Sequence, residues 1–135
     1  HQNLTFTTAP NLQRAVAMGL GKDDAYFASL ANTLQDRRDQ LAAGLSEVGL
    51  TVLPTQGTYF ITTDFAPLAA RVGFNGDDVA FCRHITEKAG VTAIPVTAFY
   101  EGADPPRHYA RFAFCKRAEV LDEAIRRLKA HFGAG

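Results

Sequence analysis

The sequence of 135 residues is poor in cysteine and has no long apolar run. Its two cysteines, Cys82 and Cys115, are too few for a disulfide framework, so a reducing, cytoplasmic location is expected. The apolar stretches fall far short of the roughly 18 residues that a membrane span needs, and no secretory signal pattern opens the chain. These absences predict a protein that neither crosses a membrane nor depends on disulfides.

An excess of one charge is also missing, because 14 basic residues balance 14 acidic ones. No broad electrostatic field favours nucleic acid or anionic lipid, and neither partner is expected. The histidines and cysteines lack zinc-site spacing, so no metal is expected. No Gly-x-Ser-x-Gly elbow surrounds Ser29 or Ser46, and none of the four lysines has the buried setting of a Schiff-base lysine. The sequence therefore offers no candidate catalytic residue.

Methionine occurs once, at Met18, and the chain begins at His1. This predicts that the sequence is a fragment from which an N-terminal part is missing. A composition that is 47% hydrophobic is still sufficient for one buried core at this length.

Apolar residues spaced by three, four or seven positions predict a long helix over residues 23–48, which ends at Gly49. A short helix before it is expected to begin near Pro10, and residues 64–76 are expected to form an irregular connection. The other predicted elements are strands at 50–53, 58–63, 91–94 and 108–115, and helices at 77–89 and 118–132. This order predicts an α/β or α+β fold, with helices packed on a small mixed or antiparallel sheet after the long helix.

Arg111 is the most informative residue, because it interrupts an otherwise apolar strand. Alternation places Ala110 and Phe112 on one face of the strand and Arg111 on the other. A guanidinium is always charged, and its planar fork suits a carboxylate held by two parallel hydrogen bonds. Two interpretations stay open at this point: an internal partner such as Asp64, or the carboxylate of a ligand.

Three segments of the chain together resemble a known family. They are Gln56-Gly57-Thr58-Tyr59-Phe60, the stretch from Gly90 to Tyr100 (GVTAIPVTAFY), and Arg111-Phe112-Ala113-Phe114-Cys115-Lys116. A fourth, weaker likeness begins at His1-Gln2-Asn3. In this order they resemble the class I/II, fold-type-I aminotransferases that depend on pyridoxal phosphate. The likeness is strongest to the branch of kynurenine, glutamine, methionine and succinyl-diaminopimelate aminotransferases.

The resemblance implies that the chain is the C-terminal third of such an enzyme. Residues 1–22 would end the large, cofactor-binding domain, and residues 23–135 would form the interdomain helix and the small domain. The complete enzyme would be a cytoplasmic homodimer that exchanges an amino group between an amino acid and a 2-oxo acid. Pyridoxal 5'-phosphate would be bound mainly by residues upstream of this chain, so the fragment alone is expected to be inactive.

The resemblance also assigns roles to single residues. Arg111 would bind the α-carboxylate of the substrate, while Gly57, Tyr59 and Phe60 would line the substrate pocket, with Tyr59 favoured as the ring that faces the ligand. His1 would reach the pocket of the neighbouring subunit. The alternative for Tyr59 and Phe60 is that both rings are buried in the core. The alternatives for the whole protein are a non-catalytic amino-acid-binding module that uses Arg111 alone and a carbon–sulfur lyase of the same superfamily.

Overall fold

A computed structural model describes residues 7–133 of the chain, so His1 lies outside the described residues. The chain divides into two compact units, His1–Thr33 and Leu34–Gly135. The predicted domain boundary between residues 22 and 23 concerns the complete protein and stays a prediction. None of the described helices is long and apolar enough to cross a membrane.

Five α-helices, one 3₁₀ turn and four strands make up the described fold. The helices are α1 (Pro10–Leu20), α2 (Asp24–Val48), α3 (Ala66–Val72), α4 (Asp78–Ala89) and α5 (Ala118–Phe132), and the 3₁₀ turn is Val96–Phe99. The strands are β1 (Thr51–Val52), β2 (Phe60–Asp64), β3 (Ile94–Pro95) and β4 (Tyr109–Ala113). The predicted class, helices combined with a small sheet after a long helix, is confirmed.

The four strands form one antiparallel sheet in the order β1-β2-β4-β3. β4 is therefore an inner strand with a partner on each side. Arg111 is opposite Thr62 of β2 and opposite Ile94 of β3. Since the register fixes which side chains share a face, this pairing determines the neighbours of Arg111.

One face of the sheet belongs to the core. Ile61 and Thr63 of β2 are buried, as are Ala110 and Phe112 of β4. The helices contribute apolar stripes to the same core. The stripe of α5 consists of Leu121, Ile125, Leu128 and Phe132, as the spacing of these residues predicts. The alternation along β4 is confirmed, because Ala110, Phe112 and Phe114 are buried and Arg111 is not.

The prediction of an irregular connection over residues 64–76 was wrong, because α3 lies within it. Pro67 occupies the first turn of that helix, where a missing N–H costs nothing. Gly73 ends the helix in the left-handed conformation, with φ of 68°. The proline and glycine thus mark the beginning and the end of a short helix.

The third strand is shorter than predicted and lies at the end of the segment expected to form it. β3 contains only Ile94 and Pro95, and Pro95 was expected to follow the strand. Proline lacks the N–H that a ladder needs, and it is tolerated here because β3 is an edge strand. The chain then turns at once into the 3₁₀ turn, which ends the pairing with β4.

Candidate functional site

The candidate site lies on the face of the sheet that the core leaves half-buried. Phe60 and Thr62 of β2 share this face with Arg111 of β4, and all three are of intermediate burial. Because strand alternation turns the neighbours of Arg111 into the core, the guanidinium is the one positive charge that β4 presents on its outer face. The fold therefore holds Arg111 on a rigid inner strand.

Two aromatic rings contact the guanidinium of Arg111. Its Cζ is 3.9 Å from the centroid of the Phe60 ring and 4.3 Å from the centroid of the Phe99 ring. A cation over an aromatic face is attracted by about 0.5–2 kcal/mol, the larger value where water is excluded. Both rings therefore help to hold the guanidinium in place.

No described residue neutralises this charge. Among residues 7–133, no carboxylate forms an ion pair with Arg111. Asp64, the internal partner considered from the sequence, instead accepts a hydrogen bond from the backbone N–H of Ala66 at 2.8 Å through Oδ1. Within the described part of the chain, the interpretation of an Asp64–Arg111 pair is therefore wrong.

The Nε of Arg111 is buried and has no hydrogen-bond partner among the described residues. It is the single side-chain nitrogen or oxygen in that condition within residues 7–133. A buried donor without a partner costs about 1–3 kcal/mol. Neither Nη1 nor Nη2 is in this condition.

The 3₁₀ turn that carries Phe99 is anchored by a buried acid. Asp78, the first residue of α4, is fully buried. Its Oδ2 accepts a hydrogen bond from the backbone N–H of Thr97 at 2.7 Å, and its Oδ1 accepts one from the Thr97 hydroxyl at 3.0 Å. The start of α4 is thereby connected to the turn that ends in Phe99.

The same acid influences a neighbouring thiol. Burial, and then the negative charge of Asp78, raise the pKa of Cys82 to about 12. A neutral thiol is a poor nucleophile, so Cys82 is a core residue rather than a reactive one. Cys115, which follows β4, is exposed.

The other residues named from the sequence lie beside this face. The ring of Tyr59 is 4.4 Å from the ring of Phe60, and Tyr59 is 48% exposed. The chain reaches it through Thr58, which adopts a left-handed φ of 62°, while Gly57 is exposed. The structure thus puts Phe60 on the guanidinium and Tyr59 next to Phe60; the preference for Tyr59 as the ring that faces a ligand stays a prediction.

Phe99 is the component of the site that the sequence did not reveal. It lies in the segment Gly90–Tyr100, which carries part of the resemblance, but no periodicity singles it out. An apolar residue of a 3₁₀ turn has no predictable face without knowledge of what holds the turn. The residues whose hydrogen bonds hold the turn, Thr97 and Asp78, are 19 positions apart in sequence.

The described residues do not form a site for pyridoxal phosphate. Lys22, Lys88 and Lys116 are exposed, and Lys129 pairs with Glu47 on the surface. A lysine that forms a Schiff base needs a desolvated or cationic environment, and these surface positions do not supply the desolvation. Nor do residues 7–133 contain a group of three metal ligands. What they do contain is an arginine whose charge no described residue neutralises.

A separate cleft of about 490 Å³ lies between α5 and the end of α4. Its walls include Val91, Phe112 and Leu121, and at its rim Lys116 and Arg127 stand near acidic residues of α5. Arg111 is not among its lining residues. The cleft is therefore distinct from the candidate site.

Comparison with known proteins gives a consistent result. The family model for "Aminotransferase class I and II" matches residues 2–128. The probable N-succinyldiaminopimelate aminotransferase DapC of Mycobacterium tuberculosis is 45% identical over 135 residues, which are 94% of this chain and 33% of the relative. Methionine aminotransferase of Escherichia coli is 35% identical over 130 residues, which are 96% of this chain and 32% of the relative.

Solved structures agree with the sequence relatives. The structure of N-succinyldiaminopimelate aminotransferase from Mycobacterium tuberculosis matches with a TM-score of 0.85 and 46% identity. The match covers 96% of this chain and 32% of the solved one. The chain therefore spans about a third of the length of the relatives that it matches.

Proposed function

The chain belongs to the class I and II aminotransferases, and we propose that it is the C-terminal part of an enzyme that moves an amino group between an amino acid and a 2-oxo acid. The names of two relatives, an N-succinyldiaminopimelate and a methionine aminotransferase, support this reaction class. Since the chain spans a third of their length, the activity is proposed for the complete protein and not for residues 1–135 alone.

The observation that carries the proposal is the unneutralised guanidinium of Arg111. Every substrate of such a reaction bears an α-carboxylate, whatever its side chain, so one fixed receptor can serve both the amino acid and the 2-oxo acid. The rings of Phe60 and Phe99 both contact the guanidinium and limit its movement. Because Nε is buried, we propose that the carboxylate binds end-on to Nη1 and Nη2 through two charge-assisted hydrogen bonds.

Pyridoxal phosphate, which would supply the electron sink of the reaction, is proposed to be held by residues outside this chain. The lysines described above do not fit a cofactor role, so no chemical step is assigned to them. The contribution of this chain is to bind and orient the substrate. A fixed orientation can lower a reaction barrier by several kcal/mol, roughly 7–11 in well-oriented model systems.

The remaining assignments follow from the same proposal. Gly57, Tyr59 and Phe60 would line the substrate pocket, and His1 would contribute to the pocket of a neighbouring subunit in a homodimer. We further propose a cytoplasmic location and a role in amino acid metabolism. The identity of the amino acid depends on residues beyond this chain, so the proposal stops at the substrate class.

The test of the proposal is Arg111→Lys in the full-length enzyme. Lysine keeps the positive charge but lacks the planar fork, so the carboxylate loses one of two paired hydrogen bonds. We expect kcat/KM for an amino acid to fall. The corresponding loss of transition-state stabilisation should be about 2–4 kcal/mol, because charged hydrogen bonds are worth roughly 1.5–3 kcal/mol each and do not add fully. Bound cofactor, measured by absorbance, should be unchanged.

Two controls make the result specific. Arg126→Lys changes an exposed arginine that pairs with Glu123 on α5 and should leave kcat/KM unchanged. Comparing L-methionine with 3-(methylsulfanyl)propylamine, which lacks the carboxylate, isolates the receptor role. Equal losses on both compounds would show that Arg111 is not the carboxylate receptor. Carboxylate binding without any amino transfer by the wild type would favour a non-catalytic amino-acid-binding module.

A further inference from the structure

Asp78 is an unusual residue for the interior of a small protein unit. Its side chain is fully buried, and no cation among residues 7–133 forms an ion pair with it. A buried carboxylate without a countercharge is costly unless hydrogen bonds compensate the loss of water. Both of its oxygens are used for one purpose, since each accepts a hydrogen bond from Thr97.

The turn that these bonds hold has few other constraints. It is four residues long, from Val96 to Phe99, and the preceding strand β3 pairs with β4 only through Ile94 and Pro95. Thr97 is the second residue of the turn, so the bond to its N–H satisfies a donor that a short helix leaves free at its start. Asp78 thus fixes the turn through two hydrogen bonds to one of its residues.

The end of this turn determines how Arg111 is covered. Phe60, one of the two rings in contact with the guanidinium, is fixed by strand pairing opposite Ala113. Phe99, the other ring, belongs to no strand and is 56% exposed. Its position 4.3 Å from Cζ therefore depends on the turn, and the turn depends on Asp78.

We propose that Asp78 is a positioning residue for substrate binding: through Thr97 it holds Phe99 against Arg111, so that the terminal nitrogens of the guanidinium stay aimed at the substrate carboxylate. This inference rests on the proposed function and extends it to a residue that acts on Arg111 through other residues. Asp78 touches no substrate; it acts through a chain of two contacts. Charge-assisted hydrogen bonds are about twice as strong as neutral ones, which explains why a carboxylate serves here better than an amide.

The experiment measures binding of a carboxylate to the full-length, cofactor-loaded protein by isothermal titration calorimetry. The probe is the deaminated analogue of the amino acid that gives the highest kcat/KM, for example 4-(methylsulfanyl)butanoate if that amino acid is methionine. It lacks the amino group, so it cannot react, and it keeps the carboxylate. We expect Asp78→Asn to weaken its binding about three- to tenfold, because the ring is released while Arg111 itself remains. Arg111→Lys should weaken it more.

Asp77→Asn provides the matched control. Asp77 is the adjacent carboxylate, and its Oδ1 accepts a hydrogen bond from the N–H of Ala80 at 2.9 Å as the N-cap of α4. It makes no hydrogen bond to the 3₁₀ turn within the described residues. Asparagine is about as good an N-cap as aspartate, so this variant should change the melting temperature little and leave the affinity for the probe unchanged.

A second pair of variants acts from the other side of the contact. Thr97→Val removes the hydroxyl and should weaken binding, whereas Thr97→Ser keeps both hydrogen bonds and should bind like the wild type. This pair also decides the matter if Asp78→Asn fails to fold, because Thr97 is only half-buried. A merely structural role would lower the melting temperature of Thr97→Val and leave probe affinity intact.

The outcomes separate this inference from the proposed function. If Asp78→Asn and Thr97→Val bind the probe like the wild type while Arg111→Lys does not, the positioning role is wrong and the receptor stands. If Asp78→Asn and Asp77→Asn weaken binding equally, the effect comes from losing a negative charge at the start of α4 rather than from the bonds to Thr97, and the inference is again wrong. If Arg111→Lys binds normally, or the wild type does not bind at millimolar probe, the receptor itself is wrong.

Discussion

The two units of the chain differ in what their apolar residues contact. In the part of the first unit that is described, residues 7–33, helix α1 has no buried residue, and Met18 and Leu20 are 68% and 73% exposed. In the second unit, α5 buries all four residues of its apolar stripe. Both helices are amphipathic. The pattern predicts that each helix packs one face against something, but it does not show which part of a protein covers that face.

Helix α2 shows the same difference within one element. Its apolar residues follow a single spacing, yet Leu41, Leu45 and Val48 are buried whereas Tyr26 and Leu30 are about half exposed. The change occurs near Leu34, where the second unit begins. An exposed apolar stripe of this kind is typical of a surface that another part of a protein covers.

The comparison predicts its largest effect for a pair of phenylalanine variants. Phe81 is 1% exposed and stacks on Phe65 at 4.2 Å between centroids, while Phe27 is 43% exposed. Phe81→Ala should lower the free energy of unfolding of the isolated chain by about 3–5 kcal/mol, because it leaves a cavity. Phe27→Ala should change it by less than about 0.5 kcal/mol.

Urea denaturation followed by circular dichroism measures both values. Similar losses for the two variants would mean that residues 7–33 share the core of the isolated chain, and the difference between the units would be wrong. Adding the same pair to the full-length protein sharpens the test. There Phe27→Ala should become costly if another part of the protein covers it.

A pair of glycine variants should give an intermediate effect of opposite sign. A Cβ on Gly44 of α2 would lie 2.3 Å from Cδ1 of Ile125 on α5, whereas a Cβ on Gly19 of α1 would meet no described atom within 4 Å. Gly44→Ala should therefore destabilise the chain by about 1–3 kcal/mol. Gly19→Ala should stabilise α1 by up to about 1 kcal/mol, because alanine restricts the unfolded chain.

Thermal unfolding of both variants, with the wild type as reference, checks this prediction. An unchanged melting temperature for Gly44→Ala would mean that α2 and α5 separate enough to admit a methyl group. The core of the second unit would then be looser than the close approach of Gly44 and Ile125 indicates.

The smallest effect concerns charge. All five ion pairs within residues 7–133 lie in the second unit. Hydrogen bonds from Arg126 and then Arg127 lower the pKa of Glu123 to about 2. A carboxyl whose folded pKa is below its ordinary value of 4.5 stabilises the fold fully above about pH 4.5, and the contribution is lost as pH falls towards 2.

The melting temperatures of the wild type and Glu123→Gln, followed from pH 7 to pH 2, measure this contribution. The wild type should melt slightly higher at pH 7, by a small margin because the group is exposed, and the two curves should converge near pH 2. Glu87→Gln is the control, since Glu87 forms no ion pair within the described residues. A gap that persists at pH 2 would contradict the assigned cause.

Local patterns predicted the elements whose burial is decided by neighbours along the same stripe. The bounds of α5 and the two faces of β4 follow from residue spacing alone, and the structure confirms them. The short helix α3 was missed because Pro67 and Gly73 each interrupt periodicity, although together they are compatible with the first turn and the C-cap of a helix. Element bounds thus depend on how such residues combine.

For the candidate site, the sequence predicted the charge but not its surroundings. Arg111 is conspicuous because one ionised group in an apolar strand demands a partner. The rings of Phe60 and Phe99 converge on it from β2 and from the 3₁₀ turn. The two residues are 39 positions apart, so no local pattern could join them. The anchoring of that turn by Asp78 required the packed structure.

The alternation along β4 gives one short strand two selective constraints. Ala110 and Phe112 are buried in the core, whereas Arg111 between them lies on the outer face. Loss of a single codon within this strand would exchange the two faces, exposing the core residues and burying the guanidinium. The loop before Tyr109 can therefore vary in length far more freely than the strand. A change in the length of the strand alters its core face and its Arg111 face at once.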